Sequence, residues 1–341
     1  MGYVTIKDVA MEAGVSVPAV SQVINGKGRL SEATRLRVTE AIRKLNYIPN
    51  SAARSMRSSE SKTIGLLVPD IGNSYFASLI SAVNEVLAKD GYACLIGSSA
   101  ESLEGQDKFL RSLLSQRIDG SIIVPQGQAS PGLERFLATD LPVVFLDRSL
   151  TGMERAEMSV PIIDSDPYPG MRAAIQTAHE LGHRSIGFVS GPVRESPNLK
   201  EREDAFRATA TKELGASGAV VAGAADAVQA VDELMALGIR TFIFGYSPDA
   251  LAAIRLFRDR SLMIGKDVSL MSFDDIPLFE LATPAISVIS QQVTVMGHKG
   301  AKALLALMKA HQSQQAIPHM ENSVRIPTQY IHRQSLVNAA H

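Results

Sequence analysis

A chain of 341 residues has room for about two to three domains, and a composition 45% hydrophobic and 20% charged is that of a globular protein and excludes a disordered one. No apolar run approaches the ~18 residues a membrane helix needs, the opening MGYVTIKDVAMEAG lacks a signal-peptide pattern, and a single cysteine, Cys94, excludes a disulfide framework or a multi-cysteine metal site. The expectation is a cytoplasmic protein. The formal net charge of −1 hides a split: the first 58 residues carry nine basic and four acidic side chains, +5, which leaves −6 for the rest. A basic head on an acidic body points to a polyanion-binding module joined to something else, although a solvated basic domain of no special purpose fits charge alone equally well.

In the head, apolar residues at 6, 9, 10 and 13 predict a helix over Ile6 to Ala13 that stops at Gly14. Ser16 is a good N-cap for a second helix with Pro18 in its first turn and Val20, Val23 and Ile24 facing inward. Asn25-Gly26 is a turn dipeptide, and Ser31 caps a third helix to about Leu45, with Ala33, Leu36, Val38, Ile42 and Leu45 as its mostly buried side. Three short helices, the first two joined tightly, present Val17, Pro18, Ser21 and Gln22 outward, as a helix entering a major groove does. A three-helix bundle for protein contacts has the same spacing.

Next comes SAARSMRSSES, small and polar with one large apolar residue, Met56: a flexible linker or a marginal helix, placing a boundary near residues 58 to 62. From there apolar runs alternate with amphipathic stretches. Strands are predicted at Thr63 to Val68, Tyr92 to Gly97, Gly120 to Val124, Val143 to Asp147, Ser185 to Ser190, Thr241 to Tyr246 and Val268 to Phe273. Helices are predicted at Phe76 to Lys89, Gly105 to Gln116 and Pro169 to Leu181, among others. Continuous apolar strands imply a parallel sheet covered on both faces, and about 280 residues exceed one core, so the body is two α/β subdomains with a cleft at the carboxyl ends of the strands.

His179-Glu180-Leu181-Gly182-His183 matches the zinc-protease pattern H-E-x-x-H, but Gly182 ends the helix, so the second histidine does not sit one turn above the first. No phosphate-cradling glycine loop and no G-x-S-x-G elbow occurs, which leaves an enzyme without nucleophile or cofactor motif. Polar residues do gather where strands end: Asn73 to Phe76, Asp147-Arg148, Tyr246-Ser247 and Asp274-Asp275. Any one of them could simply cap the next helix. Together, carboxylates and arginine for hydroxyls and aromatic faces for an apolar ring surface imply a small polar ring compound.

The head, VTIKDVAMEAGVSVPAVSQVINGKGRLSEATRLRVTEAIRKLNYIPN, closely resembles the DNA-binding domain of the lactose-repressor (LacI/GalR) family of bacterial transcription regulators. The likeness continues through IGLLVPDIGNSYFASLI, SQRIDGSIIVP, PVVFLDRS, LGHRSIGFVSG, VSLMSFDD and RIPTQYIHRQS, covering nearly the whole chain in order. It implies a helix-turn-helix head at 1–48, a hinge helix and linker at 49–61, and two doubly wound periplasmic-binding-protein-like subdomains, 62–162 with 292–322 and 163–291 with 323–338, linked by crossovers near 161–164, 289–293 and 320–326. It implies a homodimeric regulator, a repressor by preference, on a near-palindromic operator, with a sugar or nucleoside effector in the cleft and no catalytic residue, metal or cofactor. The tail after Arg333 is too short for a leucine-heptad tetramerisation helix.

Carried over residue by residue, the resemblance assigns DNA contacts to Thr5, Ile6, Ser16, Val17, Pro18, Ser21, Gln22, Asn25 and Ser31 in the head, and to Asn50, Ala53, Met56 and Arg57 in the hinge. Met56 stands where the family wedges a leucine between base pairs. Ala19 replaces the usual threonine, and Gln22 replaces a frequent arginine; arginine favours guanine and glutamine adenine, so the expectation is an operator that differs from the common family site at that position. Effector contacts fall to Asn73, Tyr75, Phe76, Asp147, Arg148, Arg202, Tyr246 and Asp274. Tyr246-Ser247 replaces the family's Asn-Asp pair, so the pocket either loses a hydrogen-bonding pair and gains an aromatic wall or takes something other than an ordinary hexose. Three alternatives remain at this level: a solute-binding protein, which calls for a secretion signal and no basic head; a regulator answering to a phosphocarrier protein; and a hydrolase.

Overall fold

The computed structural model describes residues 4–26, 28–47, 60–151, 160–192, 196–224, 226–313 and 323–339. Two units form, Met1–Ser61 and Lys62–His341. In the first, helices α1 (Ile6–Ala13), α2 (Val17–Ile24) and α3 (Glu32–Lys44) enclose a core of Val9, Ala10, Ala13, Val20, Val38, Ala41 and Tyr47. Each helix start is set locally. Thr5 and Asp8 form a reciprocal capping box on α1, while the Ser16 and Ser31 hydroxyls accept from the Ala19 and Thr34 amides. One face of α3 departs from expectation: Ala33 and Leu36 are exposed, Leu36 at 61%, because the core is reached by Val38, Ala41, Ile42 and Leu45 at helical spacing and Leu36 lies half a turn away from Val38.

The second unit is built on two six-stranded sheets. The first contains β1 (Thr63–Val68), β2 (Ala93–Ser98), β3 (Gly120–Ile123), β4 (Val143–Leu146), β5 (Ile162–Asp166) and β11 (Ser323–Pro327), in the order β11-β5-β4-β3-β1-β2, all parallel. The second contains β6 (Ile186–Val189), β7 (Ala219–Val221), β8 (Thr241–Phe244), β9 (Ser269–Phe273), β10 (Ser287–Ser290) and β12 (Gln329–Ile331), in the order β12-β10-β9-β8-β6-β7, with only β12 antiparallel. Helices α4 (Ser74–Lys89), α5 (Leu103–Ser115), α6 (Pro131–Leu137) and α12 (Val293–Gln312) go with the first sheet; α7 (Tyr168–Glu180), α8 (Pro197–Leu214), α9 (Ala227–Ala236), α10 (Ser247–Asp259) and α11 (Pro277–Leu281) go with the second. In both sheets the strand order reverses beside the first strand, which opens a crevice beyond the carboxyl ends.

The seven expected strands are present to within two residues at each end. The strands not foreseen are β5, β7, β10, β11 and β12. Three of them lie in the crossover segments, β5 is interrupted by Asp164 and Ser165, and β7 is three half-buried residues at a sheet edge, so none presents a long apolar run. Because β5 and β11 belong to the first sheet, the chain crosses after Asp166 and Pro327, a few residues later than the expected boundaries at 162 and 322. Among the described residues, no helix is long and apolar enough to cross a membrane.

Candidate functional site

In the head, α2 presents Pro18 and Gln22 as exposed residues beside exposed Ser16 and Asn25, with Ser21 half-buried. Val17 departs from the outward orientation expected of it: it is half-buried and packs against the head core, because the first turn of α2 leans on α1 and α3. Asn25 closes the helix, its Nδ2 donating to the Ser21 carbonyl at 2.7 Å. Gln22 folds over the following loop, where any side chain at position 28 would meet its amide. Thr5, Ile6 and Ser31 stand at or beside helix starts, Thr5 and Ser31 exposed and Ile6 half-buried. Asn50, Ala53, Met56 and Arg57 lie outside the described residues.

In the body, the two subdomains repeat one device. Asp147 ends β4 and Asp274 ends β9, both in the left-handed region (φ 62° and 68°), with amides donating to Ile163 and Ile289 on the next strand. Aspartate tolerates that conformation better than most residues, and such strain collects at functional sites. Both carboxylates are about 97% buried. Tyr75 Oη donates to Asp147 Oδ1 at 2.7 Å, and Asn198 Nδ2 reaches Asp147 Oδ2 across the cleft at 3.5 Å. On the far side Ser247 Oγ and Gln291 Nε2 donate to Asp274 at 2.9 and 2.7 Å. Arg202 lies 4.5 Å over the Phe273 ring, donates to the Gly245 carbonyl at 2.6 Å and stands 3.9 Å from Asp274.

Burial raises the Asp147 carboxyl above its ordinary range, against the pull of Arg148, Arg202 and Tyr75. Tyr75, wholly buried beside that carboxylate, is pushed well above its ordinary value and keeps its proton. Arg148 is 5% exposed; burial weakens its charge, but a bidentate pair with Glu101 at 2.9 and 3.0 Å holds it above its ordinary value. Its Nε hydrogen has no hydrogen-bond partner among the described residues and faces Asp147 Oδ2 at 3.9 Å. A buried donor beside a buried acceptor is an arrangement that one ligand hydroxyl satisfies twice. Asn73 caps α4 by accepting from the Tyr75 amide, which fixes the Tyr75 and Phe76 rings edge to face at 5.1 Å.

The structure thus brings Asn73, Tyr75, Phe76, Asp147, Arg148, Arg202, Tyr246 and Asp274 to one cleft. It adds Glu101, Asn198, Ser247 and Gln291, which sequence reasoning did not single out as contacts. Ser247 supplies a donor to Asp274, so the loss of a hydrogen-bonding pair at 246-247 is only partial. Asp275 points elsewhere and pairs with Arg333 at 2.9 Å. The H-E-x-x-H match dissolves: α7 ends before Gly182, whose φ of 92° suits glycine, and both nitrogens of His183 are engaged, Nδ1 with Thr241 Oγ1 and Nε2 with the Val337 carbonyl, each at 2.8 Å. Arg184 donates back to the His179 carbonyl as a helix C-terminal cation.

Asp249, in the first turn of α10, is raised to about 6, chiefly by burial and then by Asp226. The folded state therefore keeps this proton between about pH 4 and 6 while the unfolded chain loses it, so its contribution to stability falls as pH rises through that window. Asp249→Asn is expected to raise the melting temperature at pH 7.5 and to change it little at pH 4.5; an equal gain at both pH values would contradict this.

A helix-turn-helix head followed by a ligand-binding body of two doubly wound halves defines a DNA-binding regulator with an effector cleft. Residues 5–50 match the bacterial regulatory proteins of the lacI family, and residues 175–336 match the periplasmic binding protein-like domain. The chain is 34% identical to the ribose operon repressor of Bacillus subtilis over 97% of its own length and 98% of the relative's. It is 31% identical to the PurR repressor of Aliivibrio salmonicida over 94% and 97%. Among solved structures, the lac repressor dimer bound to operator and the anti-inducer ONPF superposes with a TM-score of 0.81 at 24% identity, covering 98% of this chain and all of that one. A probable LacI family regulator from Corynebacterium glutamicum gives 0.69 at 29% over 81% of this chain and all of the other. The chain belongs to the LacI family of bacterial transcription regulators.

Proposed function

We propose that the protein is a cytoplasmic, homodimeric repressor, without enzymatic activity, that grips a near-palindromic operator with two heads and is switched by a neutral sugar or nucleoside bound in the cleft. The head spans 1–48 and the hinge 49–61. The two halves of the body follow the boundaries expected above, with β5 and β11 assigned to the first. The observation that carries the effector reading is the convergence from both halves of buried Asp147, Arg148, Arg202 and Asp274 with half-buried Asn198, mutually compensated, with the Arg148 Nε donor unmatched among the described residues. Carboxylates and guanidinium forks hold ring hydroxyls, and Phe76 offers an apolar ring face. The ribose operon repressor and PurR relatives support the repressor part of this reading.

Dimerisation is supported by large apolar side chains left at the surface of the body: Ile71, Ile96, Leu278 and Leu281, the last 79% exposed. In the operator complex, Ser16, Pro18, Ser21 and Gln22 line the major groove with the exposed edge of Val17, while Thr5, Ile6, Asn25, Ser31 and Asn50 steady the head. Ala53, Met56 and Arg57 enter the minor groove, where Met56 is the apolar wedge that kinks the duplex.

The test selects bound DNA from a random pool with the wild type and with Gln22→Arg, then repeats binding with sugars and nucleosides. A near-palindromic site is expected, with preference at one symmetric position moving toward guanine in the variant; bidentate base contacts discriminate by about 1–3 kcal/mol. An unchanged site would remove Gln22 from base reading. Absence of any selected site would overturn the repressor reading.

A further inference from the structure

The cleft has a buried floor and a different kind of mouth. Asp147, Arg202 and Asp274 are at most 4% exposed, whereas Glu101, which ties down Arg148, keeps 39% of its side chain in solvent. Glu101 follows β2 in the left-handed region, as does Ala100 (φ 52° and 50°), so two strained residues set this carboxylate over Arg148. From the other half of the body, half-buried Tyr246 is seated at the end of β8 directly against Gly191, where an added Cβ would lie 2.7 Å from that of Tyr246; Gly191 also has φ 83°. The Tyr246 hydroxyl lies in the field of Glu101 and Arg148 across the cleft, and of Asp249 and Asp70 nearby, and is pushed up to about 12 by burial and by Glu101. Apart from Arg148, which Glu101 already neutralises, the named charges around this ring are carboxylates.

Resting on the effector reading above and narrowing it, we propose that Tyr246 and the Glu101–Arg148 pair form an aromatic, acidic cap at the cleft mouth that admits one uncharged sugar ring and rejects a ring extended by a base, a second sugar or a phosphate. Tyr246 occupies the room an extension needs, and a phosphate would sit among Glu101, Asp70 and Asp249, where Arg148, already paired with Glu101, is the one cation named around the ring among the described residues. Glu101 is a positioning residue. It holds both terminal nitrogens of Arg148, so that the remaining Nε donor faces Asp147.

The test is titration calorimetry with aldopentoses, aldohexoses, their phosphates and the nucleoside inosine, on wild type, Tyr246→Ala, Tyr246→Leu, Tyr246→Phe, Glu101→Gln and Glu101→Asp. The wild type is expected to bind one free monosaccharide at least about a hundredfold more tightly than its phosphate or inosine, a discrimination of about 2.7 kcal/mol. Tyr246→Ala, or Tyr246→Leu if the alanine variant does not fold, should cut the discrimination against inosine at least tenfold while still binding the monosaccharide; Tyr246→Phe should keep it. Glu101→Gln should weaken the monosaccharide about tenfold and cut the discrimination against phosphate, with Glu101→Asp restoring part of both; mere loosening of the fold would lower all affinities together. Unchanged discrimination in the Tyr246 and Glu101 variants, or a wild type that prefers inosine or a phosphate, overturns the cap and leaves the effector cleft standing. A wild type that binds nothing in the panel removes the cleft reading and the cap with it.

Discussion

Arg202→Ala is expected to abolish the effector response and leave operator binding intact. Arg202 is 96% buried, donates to the Gly245 carbonyl, stacks on Phe273 and stands beside Asp274. Charge-assisted hydrogen bonds contribute about 1.5–3 kcal/mol each, so losing the fork should lower effector affinity by about a hundredfold or more. Asp274 keeps Ser247 and Gln291 as donors, so the fold should survive with some loss of stability. Arg202→Lys restores the charge without the planar fork and should recover little of the affinity. Calorimetry against the effector and operator titration of the same variant separate the two effects; normal effector affinity in Arg202→Ala would take this residue out of the site.

The second large effect is expected at Arg325. It lies on β11 of the first sheet and grips Glu201 on α8 of the second half with two hydrogen bonds of 2.8 and 2.9 Å, while holding the Ser165 carbonyl at 2.7 Å and standing 3.5 Å from Asp164. Glu201 precedes Arg202, so the cleft arginine and this crossover clamp share one turn of helix. Arg325→Met removes the clamp and leaves buried Asp164 without its neighbouring cation. The pair is about one third exposed, so a cost of about 1–3 kcal/mol is reasonable, about 2–8 °C in melting temperature for a body of this size. Effector should still bind, but its effect on operator affinity should shrink, because coupling depends on the two halves moving as defined bodies. Full coupling in a destabilised variant would make the clamp structural only.

Much of this architecture is legible in the chain, for reasons that differ by element. The interior strands β1, β3, β4, β6, β8 and β9 are buried on both faces and therefore read as runs without charged residues, apolar but for small serines in β3 and β9 and a threonine at the start of β1 and β8. The head helices announce themselves through Thr5, Ser16 and Ser31 at their starts and Gly14 at the end of α1. Crossover strands such as β5 carry polar residues that serve the clamp and the cleft, Asp164 toward Arg325 and Ser165 toward Gln291, so the apolar pattern is interrupted where function enters. Leu36 is apolar yet exposed, because an apolar residue on an amphipathic helix need not face the core.

In the cleft, Asp147, Arg148 and Asp274 could be found because they follow apolar strands directly. Glu101 could not: its partner Arg148 is 47 residues away, and the contact depends on two left-handed residues in a row. Asn198 and Gln291 are likewise placed by the meeting of the two halves, which no local pattern records. The strongest mismatch with the family pattern, Tyr246-Ser247, divides into two roles: Ser247 supports Asp274, and Tyr246 stands at the mouth.

Control of the head's grip on DNA by a small molecule in the cleft is the step on which the proposed function rests. It is tested most directly by titrating the full-length protein against a fluorescently labelled operator, taken from the selection experiment, with and without the monosaccharide that binds in calorimetry. A ligand-dependent change in operator affinity of about 5- to 150-fold is expected in the wild type, the usual range for such coupling, and none in Arg202→Ala. Operator affinity that is the same with and without saturating ligand in the wild type would contradict it.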